Sequence, residues 1–171
     1  MITALSGIFF RVLFAHSLPQ LMQGAMAPEG RFHHDGQAAF YMSPSPKAAA
    51  IAVASYLRPD DPPRVVQALR VTGASAVDLR DSAVVARLGL QGHEAAVLWQ
   101  PERAAGRAAT SWRVSDAVRA TPADGMIYIS RSDPSRWHLV LFHLNKPGRA
   151  VVVPDGPAVE FHPAATRNAA F

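Results

Sequence analysis

Pro28-Glu29-Gly30-Arg31-Phe32-His33-His34-Asp35-Gly36, then Gln37-Ala38-Ala39-Phe40-Tyr41-Met42-Ser43, then Pro44-Ser45-Pro46: this run sets a polar loop, a strand and the opening of a helix side by side. Glycine and proline at both ends of the loop break regular structure. Gln37–Ser43 is a short, mostly apolar stretch closed by Pro44, the pattern of a strand. Ser45 is a side-chain cap, and Pro46 stands at the first helical position, where its missing N–H costs nothing. The helix so opened is expected to run to about Leu57 and stop before Pro59. Ala49, Ala52, Val53, Tyr56 and Leu57 recur at helical spacing, which predicts one inward face.

Working outward, Ile8–Phe14 reads as a buried strand followed by a looser segment to Met26. Beyond the Asp60-Asp61-Pro62-Pro63 turn, Arg64–Val71 reads as a strand and Asp81–Leu88 as a short helix stopped by Gly89. Gln91–Arg107 has no clear period. Ser111–Ala120 reads as a helix, and Met126–Ser130, Trp137–Leu144 and Ala150–Val153 read as strands. Strands and helices do not alternate as in a βαβ series, so the expected class is α+β, one domain over residues 1–171, rather than a doubly wound sheet.

Composition removes several kinds of function. The chain of 171 residues has no cysteine, which excludes a disulfide scaffold, a thiolate metal site and a cysteine nucleophile. Hydrophobic residues at 49% and charged residues at 18% mark a globular chain rather than a disordered one. The apolar stretch Ile2–Phe10 has no basic residue ahead of it, and Arg11 and His16 come after it. It therefore does not read as a secretion signal despite the small-x-small Ala25-Met26-Ala27, and it is too short to span a bilayer. The expectation is a cytoplasmic protein with no membrane partner.

No metal is expected either. His33 and His34 are adjacent and diverge, and His138 and His143 would point to opposite faces of one strand. Glycine spacing matches neither a P-loop nor a dinucleotide fingerprint, and no GxSxG elbow occurs. Of the seventeen basic residues only Lys47 and Lys146 are lysine, a balance that suits bidentate pairing with phosphate. The arginines are spread along the chain rather than clustered, so direct nucleic-acid binding is not expected. Arg31 in its glycine-led loop offers a guanidinium beside backbone amides, which suits a pyrophosphate. Tyr41, on the strand with Ala39 and Ser43 on its face, offers a ring to a flat heterocycle and a hydroxyl to donate. A buried tyrosine and a surface arginine with no ligand fit these residues as well.

The chain resembles the RES-domain toxins, the toxic half of bacterial toxin–antitoxin pairs with a helix-turn-helix antitoxin. The likeness runs through Phe10-Arg11-Val12, Gly30-Arg31-Phe32, Phe40-Tyr41-Met42-Ser43, Ser45-Pro46 and Gly125-Met126-Ile127-Tyr128-Ile129-Ser130-Arg131, with the apolar strand Leu139–Leu144 after it. The family is named for an Arg, a Glu and a Ser; here the Arg matches Arg31 and the Ser matches Ser130. The resemblance implies a fold similar to the ADP-ribosyltransferases, a mixed sheet flanked by helices, and chemistry on NAD as substrate. On that reading Arg31, with Arg11, holds the pyrophosphate, Tyr41 stacks on the nicotinamide end, and Ser130 hydrogen-bonds nicotinamide or its ribose. His16 lines the same pocket. Transfer of ADP-ribose to an intracellular protein is the expected reaction, with NAD hydrolysis or phosphorolysis as the alternative.

The family's Glu falls about eleven residues after the strand tyrosine, which is position 52, and position 52 is Ala. A carboxylate there stabilises the oxocarbenium-like centre that forms as nicotinamide leaves, as in glycoside hydrolysis. Glu29, Glu94, Glu102 and Glu160 are the four glutamates; Glu29 approaches from the wrong side and no spacing places the others. Two readings of Ala52 stay open: a small residue that lets an Ala-rich helix pack closely, and a replacement that disables a toxin otherwise hard to produce. The rival in function is a non-catalytic member that binds NAD or the antitoxin without turnover.

Overall fold

The computed structural model describes residues 2–163. Its strands are β1 (Ile2–Phe14), β2 (Phe40–Met42), β3 (Arg64–Asp78), β4 (Gly125–Ile129), β5 (Trp137–Leu141), β6 (Val151–Pro154) and β7 (Val159–Glu160). Its helices are α1 (Pro46–Val53), α2 (Ser82–Arg87), α3 (Trp99–Ala104) and α4 (Thr110–Arg119). Tight 3₁₀ turns cover Ala15–Gln23, Ala54–Tyr56 and Glu94–Ala96. The class is α+β, as the element order predicts.

β3 is the spine. Along one edge it pairs antiparallel with β1, from Ile2↔Val77 to Phe14↔Arg64. Its other edge takes β7 at Val65 and Val66, β6 from Leu69 to Thr72, and β4, in parallel, from Ala76 to Asp78. The path then runs from β4 to β5 to β2. A two-way bridge between Phe10 and Ser43, with N···O distances of 2.8 and 2.9 Å, ties the end of β2 back to β1. Strands far apart in sequence thus enclose the segment that carries Tyr41.

Alternation along β3 explains its pairing: Leu69 and Val71 are buried while Arg70 and Thr72 are exposed, the two-residue period of a half-covered sheet. One core cluster joins Phe9, Leu13, Leu69, Val71, Leu139 and Leu141. A second joins Phe32, Val77, Val114, Val118, Met126 and Val140, covering the sheet with α2 and α4. A smaller one seats Ala49 and Ala50 of α1 on Val12 and Phe161. Among the described residues no helix is long and apolar enough to cross a membrane.

Several boundaries differ from the sequence expectation. β1 starts at Ile2 rather than Ile8, and β3 runs on to Asp78 rather than Val71. The reason is that Ala74-Ser75-Ala76 is too small to show a hydrophobic period yet pairs with β1. β2 is only three residues long. β5 ends at Leu141 because the N–H groups of Phe142 and His143 both turn to the Asp124 carbonyl, at 2.7 and 3.0 Å. The unassigned Gln91–Arg107 segment holds the Glu94–Ala96 turn and α3. The inward face predicted for the α1 helix is corrected too: Ala48, Ala49 and Ala50 are buried, whereas Ala52 and Tyr56 are exposed. Helical spacing shows which side of a helix faces the molecule, and here part of that side faces open space.

Candidate functional site

That open space is a cavity of about 330 Å³, within the ~300–1,000 Å³ of small-molecule sites. Arg31, Tyr41, Ala52 and Ser130 all line it, together with Tyr128 and His138. The loop before β2, the end of α1, the end of β4 and the start of β5 each contribute a wall.

Arg31 is held from a distant segment. Its Nε and Nη2 both donate to the Ala95 carbonyl, at 3.1 and 2.5 Å. That carbonyl belongs to the Glu94–Ala96 turn, which the buried Glu94 carboxylate anchors by accepting from the Gln91 N–H at 2.8 Å and from Arg113 Nη1 at 2.9 Å. Helix α4 holds the other side of the loop, where Trp112 Nε1 donates to the Gly30 carbonyl at 2.7 Å. The Arg31 guanidinium lies 4.8 Å from the Phe32 ring centre and 5.1 Å from that of Tyr128. Burial lowers its pKa from the ordinary arginine value, and the nearby Arg131 charge acts in the same direction.

Tyr41 gives the cavity its ring and keeps its hydroxyl for the fold. The hydroxyl accepts from the Phe32 N–H at 3.0 Å and lies 2.9 Å from His33 Nδ1. His33 Nε2 lies 3.0 Å from the Ala27 carbonyl, which can only accept, so the ring proton sits on Nε2 and Tyr41 donates to Nδ1. A hydroxyl committed in both directions does not donate to a ligand, contrary to the sequence expectation. Burial holds its proton, raising its pKa. The glycine of Gly30-Arg31 has a reason in this network: a Cβ at position 30 would overlap the His33 ring.

Ser130 is buried at the end of β4, and its Oγ accepts from the Asp133 N–H at 3.3 Å. Ala52 is exposed on the cavity wall, unlike the packed Ala48, Ala49 and Ala50, so packing does not require a small residue there. Arg11 lines an adjoining cleft of about 70 Å³ with Tyr41, Ala52 and Tyr128. Its guanidinium donates to the Gly24 carbonyl at 2.8 Å and to that of Leu21 at 3.5 Å, and burial pushes its pKa down to about 10. His16 is exposed, stacks on Phe14 at 5.3 Å and lines neither space. Among the described residues no three His, Asp or Glu side chains gather as a metal site. Among the described residues the one carboxylate on the cavity wall, Glu29, is paired with Arg103 at 3.2 Å.

Residues that sequence reasoning did not single out for the cavity include His33, Tyr56, Trp99, Tyr128, Arg131 and His138. Tyr128 was within reach, since it lies two residues before Ser130 on a strand and so shares its face. His138 was not, because only the register Tyr128↔His138 brings it there.

His138 gives a pH-dependent prediction. It lies 2.8 Å from Ser43 Oγ through Nδ1, and burial, with a smaller effect of Arg31, pushes its pKa from 6.5 down to about 4. Between those values the unfolded chain binds the extra proton, so stability is full above about 6.5 and is lost as pH falls toward 4. The gap corresponds to about 3 kcal/mol. The urea midpoint is expected to drop between pH 7 and pH 5, with a shallower drop in His138→Gln. Parallel profiles for the two proteins would assign the acid sensitivity to other groups.

The RES domain family model matches residues 8–164. The chain belongs to the RES-domain family. A chain of the crystal structure of the M. tuberculosis MbcT–MbcA toxin–antitoxin complex superposes with a TM-score of 0.63, covering 97% of this chain and 90% of its own. At 16% sequence identity that likeness is one of fold. Against curated proteins the sequence finds no match. The RES-domain chain thus brings Arg31, Ala52 and Ser130 to the lining of one cavity.

Proposed function

We propose that this RES-domain chain is the toxin of a toxin–antitoxin pair, built to cleave NAD at the nicotinamide–ribose bond and to pass ADP-ribose to an intracellular protein. The observation that carries this is the convergence of positions 31, 41, 52 and 130 on a single cavity from four separate elements. The fold shared with a chain of a toxin–antitoxin complex supports it. Arg31 pairs with the pyrophosphate, its Nη1 being left over after the bonds to Ala95. The Tyr41 ring stacks on nicotinamide, and Ser130 Oγ hydrogen-bonds nicotinamide or its ribose. A helix-turn-helix antitoxin is the partner that keeps the cavity from its substrate.

Ala52 supplies no carboxylate for the cation that forms as nicotinamide leaves, so this chain is a disabled form with residual turnover at most. The same exposed alanine favours a second reading, a member that binds NAD or its antitoxin without catalysis. Calorimetric titration of NAD into the chain and into Arg31→Ala tests the NAD site. NAD binding weakened by more than about tenfold in Arg31→Ala is expected. A chain with no measurable affinity for NAD would remove the NAD-cleaving reading and leave only a member that binds its antitoxin.

A further inference from the structure

The cavity lining carries donors that no protein group engages among the described residues. Among the described residues Arg31 Nη1 has no protein partner, and the Arg131 guanidinium, on the same cavity lining, makes no hydrogen bond, ion pair or ring contact. Trp99 Nε1 is buried in the wall with its N–H unsatisfied. A buried donor left orphaned, as Trp99 Nε1 is, is costly, so native structures keep one where something else accepts. Meanwhile the Glu29 carboxylate on the cavity lining is already engaged by Arg103. Two guanidinium groups on one cavity lining, near enough that the Arg131 charge lowers the pKa of Arg31, call for an anion with more than one charge.

Arg11 does not supply that second cation. Its donors go to the Leu21 and Gly24 carbonyls, where they fasten the 3₁₀ turn after β1, and it faces the smaller cleft. Arg131 differs from it in having no such partner among the described residues and in standing between Ser130 and the exposed Ser132, on a lining shared with Tyr56 and Trp99.

We propose that Arg131 is the second phosphate-binding residue of the cavity, and that it sets the site's preference for a dinucleotide pyrophosphate over a mononucleotide. This rests on the NAD reading above and deepens it. Arg31 takes the phosphate on the nicotinamide side, and Arg131 takes the phosphate on the far side. Trp99 Nε1 and the Tyr56 ring then meet the second nucleoside. A nicotinamide mononucleotide fills the first half of the cavity and leaves Arg131 unused.

The test is calorimetric titration of the full chain with NAD, nicotinamide mononucleotide and inorganic pyrophosphate, with Arg131→Ala, Arg31→Ala and, as a control for lost charge, Arg87→Ala on α2. Arg131 holds no other part of the fold, so an unchanged thermal midpoint is expected and is checked first. Arg131→Ala is expected to weaken NAD and pyrophosphate by about 10–100-fold while changing the mononucleotide by less than about threefold. Arg87→Ala is expected to leave all three within about twofold. If Arg131→Ala binds NAD as the parent does while Arg31→Ala does not, the assignment of Arg131 is overturned and the NAD reading stands. If the parent binds pyrophosphate through Arg131 but not NAD, the NAD reading falls and the paired-arginine anion site stands. Equal weakening of mononucleotide and dinucleotide would overturn the claim on specificity.

Discussion

Replacing Ala52 by glutamate is expected to raise nicotinamide release from NAD by about 10²–10⁴-fold over the chain as it stands, the range of other positioned catalytic groups. Ala52 is exposed, lines both the main cavity and the adjoining cleft, and has Tyr41 and Tyr128 as co-lining residues in each. A longer side chain therefore enters open space rather than a packed core. Arg31 on the wall of one space and Arg11 on that of the other supply positive surroundings that favour an ionised carboxylate. A glutamate in the last turn of α1 opposes the helix dipole, at a cost of about 0.3–1 kcal/mol, which a folded domain tolerates.

Two further proteins keep this result interpretable. Ala52→Gln has nearly the same shape without the charge and is expected to stay near the starting rate. Adding Arg31→Ala to Ala52→Glu is expected to remove most of the gain. Equal rates for the Glu and Gln forms, with NAD shown to bind both, would leave the chain a binding member of the family. Mass spectrometry of cellular protein after expression of the active form then separates the outcomes: ADP-ribose adducts mark transfer, and falling NAD without adducts marks hydrolysis or phosphorolysis.

The second large effect concerns the fold. Gly125→Val is expected to abolish cooperative folding, and Gly125→Ala to cost about 3 kcal/mol or more. Gly125 opens β4 and sits opposite Leu141 of β5. A Cβ there would overlap the Val140 carbonyl oxygen and come within 2.8 Å of Leu141 Cα. Those are backbone atoms, which cannot swing aside as a side-chain tip does. β4 is also the strand that joins the β1–β3 half of the sheet to the β5–β2 half, so a forced gap there separates the two walls of the cavity. Asp124, just before it, is bound at 2.9 Å by both the N–H and the hydroxyl of Ser75, fixing the entry to β4 in place. Gly92 is the control: a Cβ there meets nothing within 4 Å, and Gly92→Ala is expected to stay within about 0.5 kcal/mol. A urea midpoint for Gly125→Val equal to that of the parent would show that β5 gives way more easily than this packing implies.

Much of the fold could be read from local residue patterns. Ser45 caps α1 as its place before Pro46 predicts, with its Oγ accepting from the Ala48 N–H at 3.1 Å. Arg31 and Ser130 entered through family likeness, and Tyr41 through its strand and that likeness together. What stayed hidden depends on pairing between distant segments. Nothing near Arg31 announces that Ala95 would hold it, and nothing near Glu94 announces that its carboxylate would brace that turn. Nor does the spacing of Tyr128 and His138 give their register. Small residues hid the second half of β3, and on α1 the helical period could not tell a core-facing wall from one that faces a cavity.

The support of Arg31 by the Ala95 carbonyl, and of β2 by β5, bears on how the protein comes into being. Synthesis delivers the chain from its N-terminus. When Arg31 and Tyr41 leave the ribosome, the turn at Glu94–Ala96 that braces the guanidinium does not yet exist. Phe40-Tyr41-Met42 has no strand to pair with until Leu139–Leu141 emerges. Such long-range pairings are slow to close and form late. A partly translated chain therefore holds the signature residues without the enclosure that makes them a site, and whatever the cavity does begins only once β5 has docked.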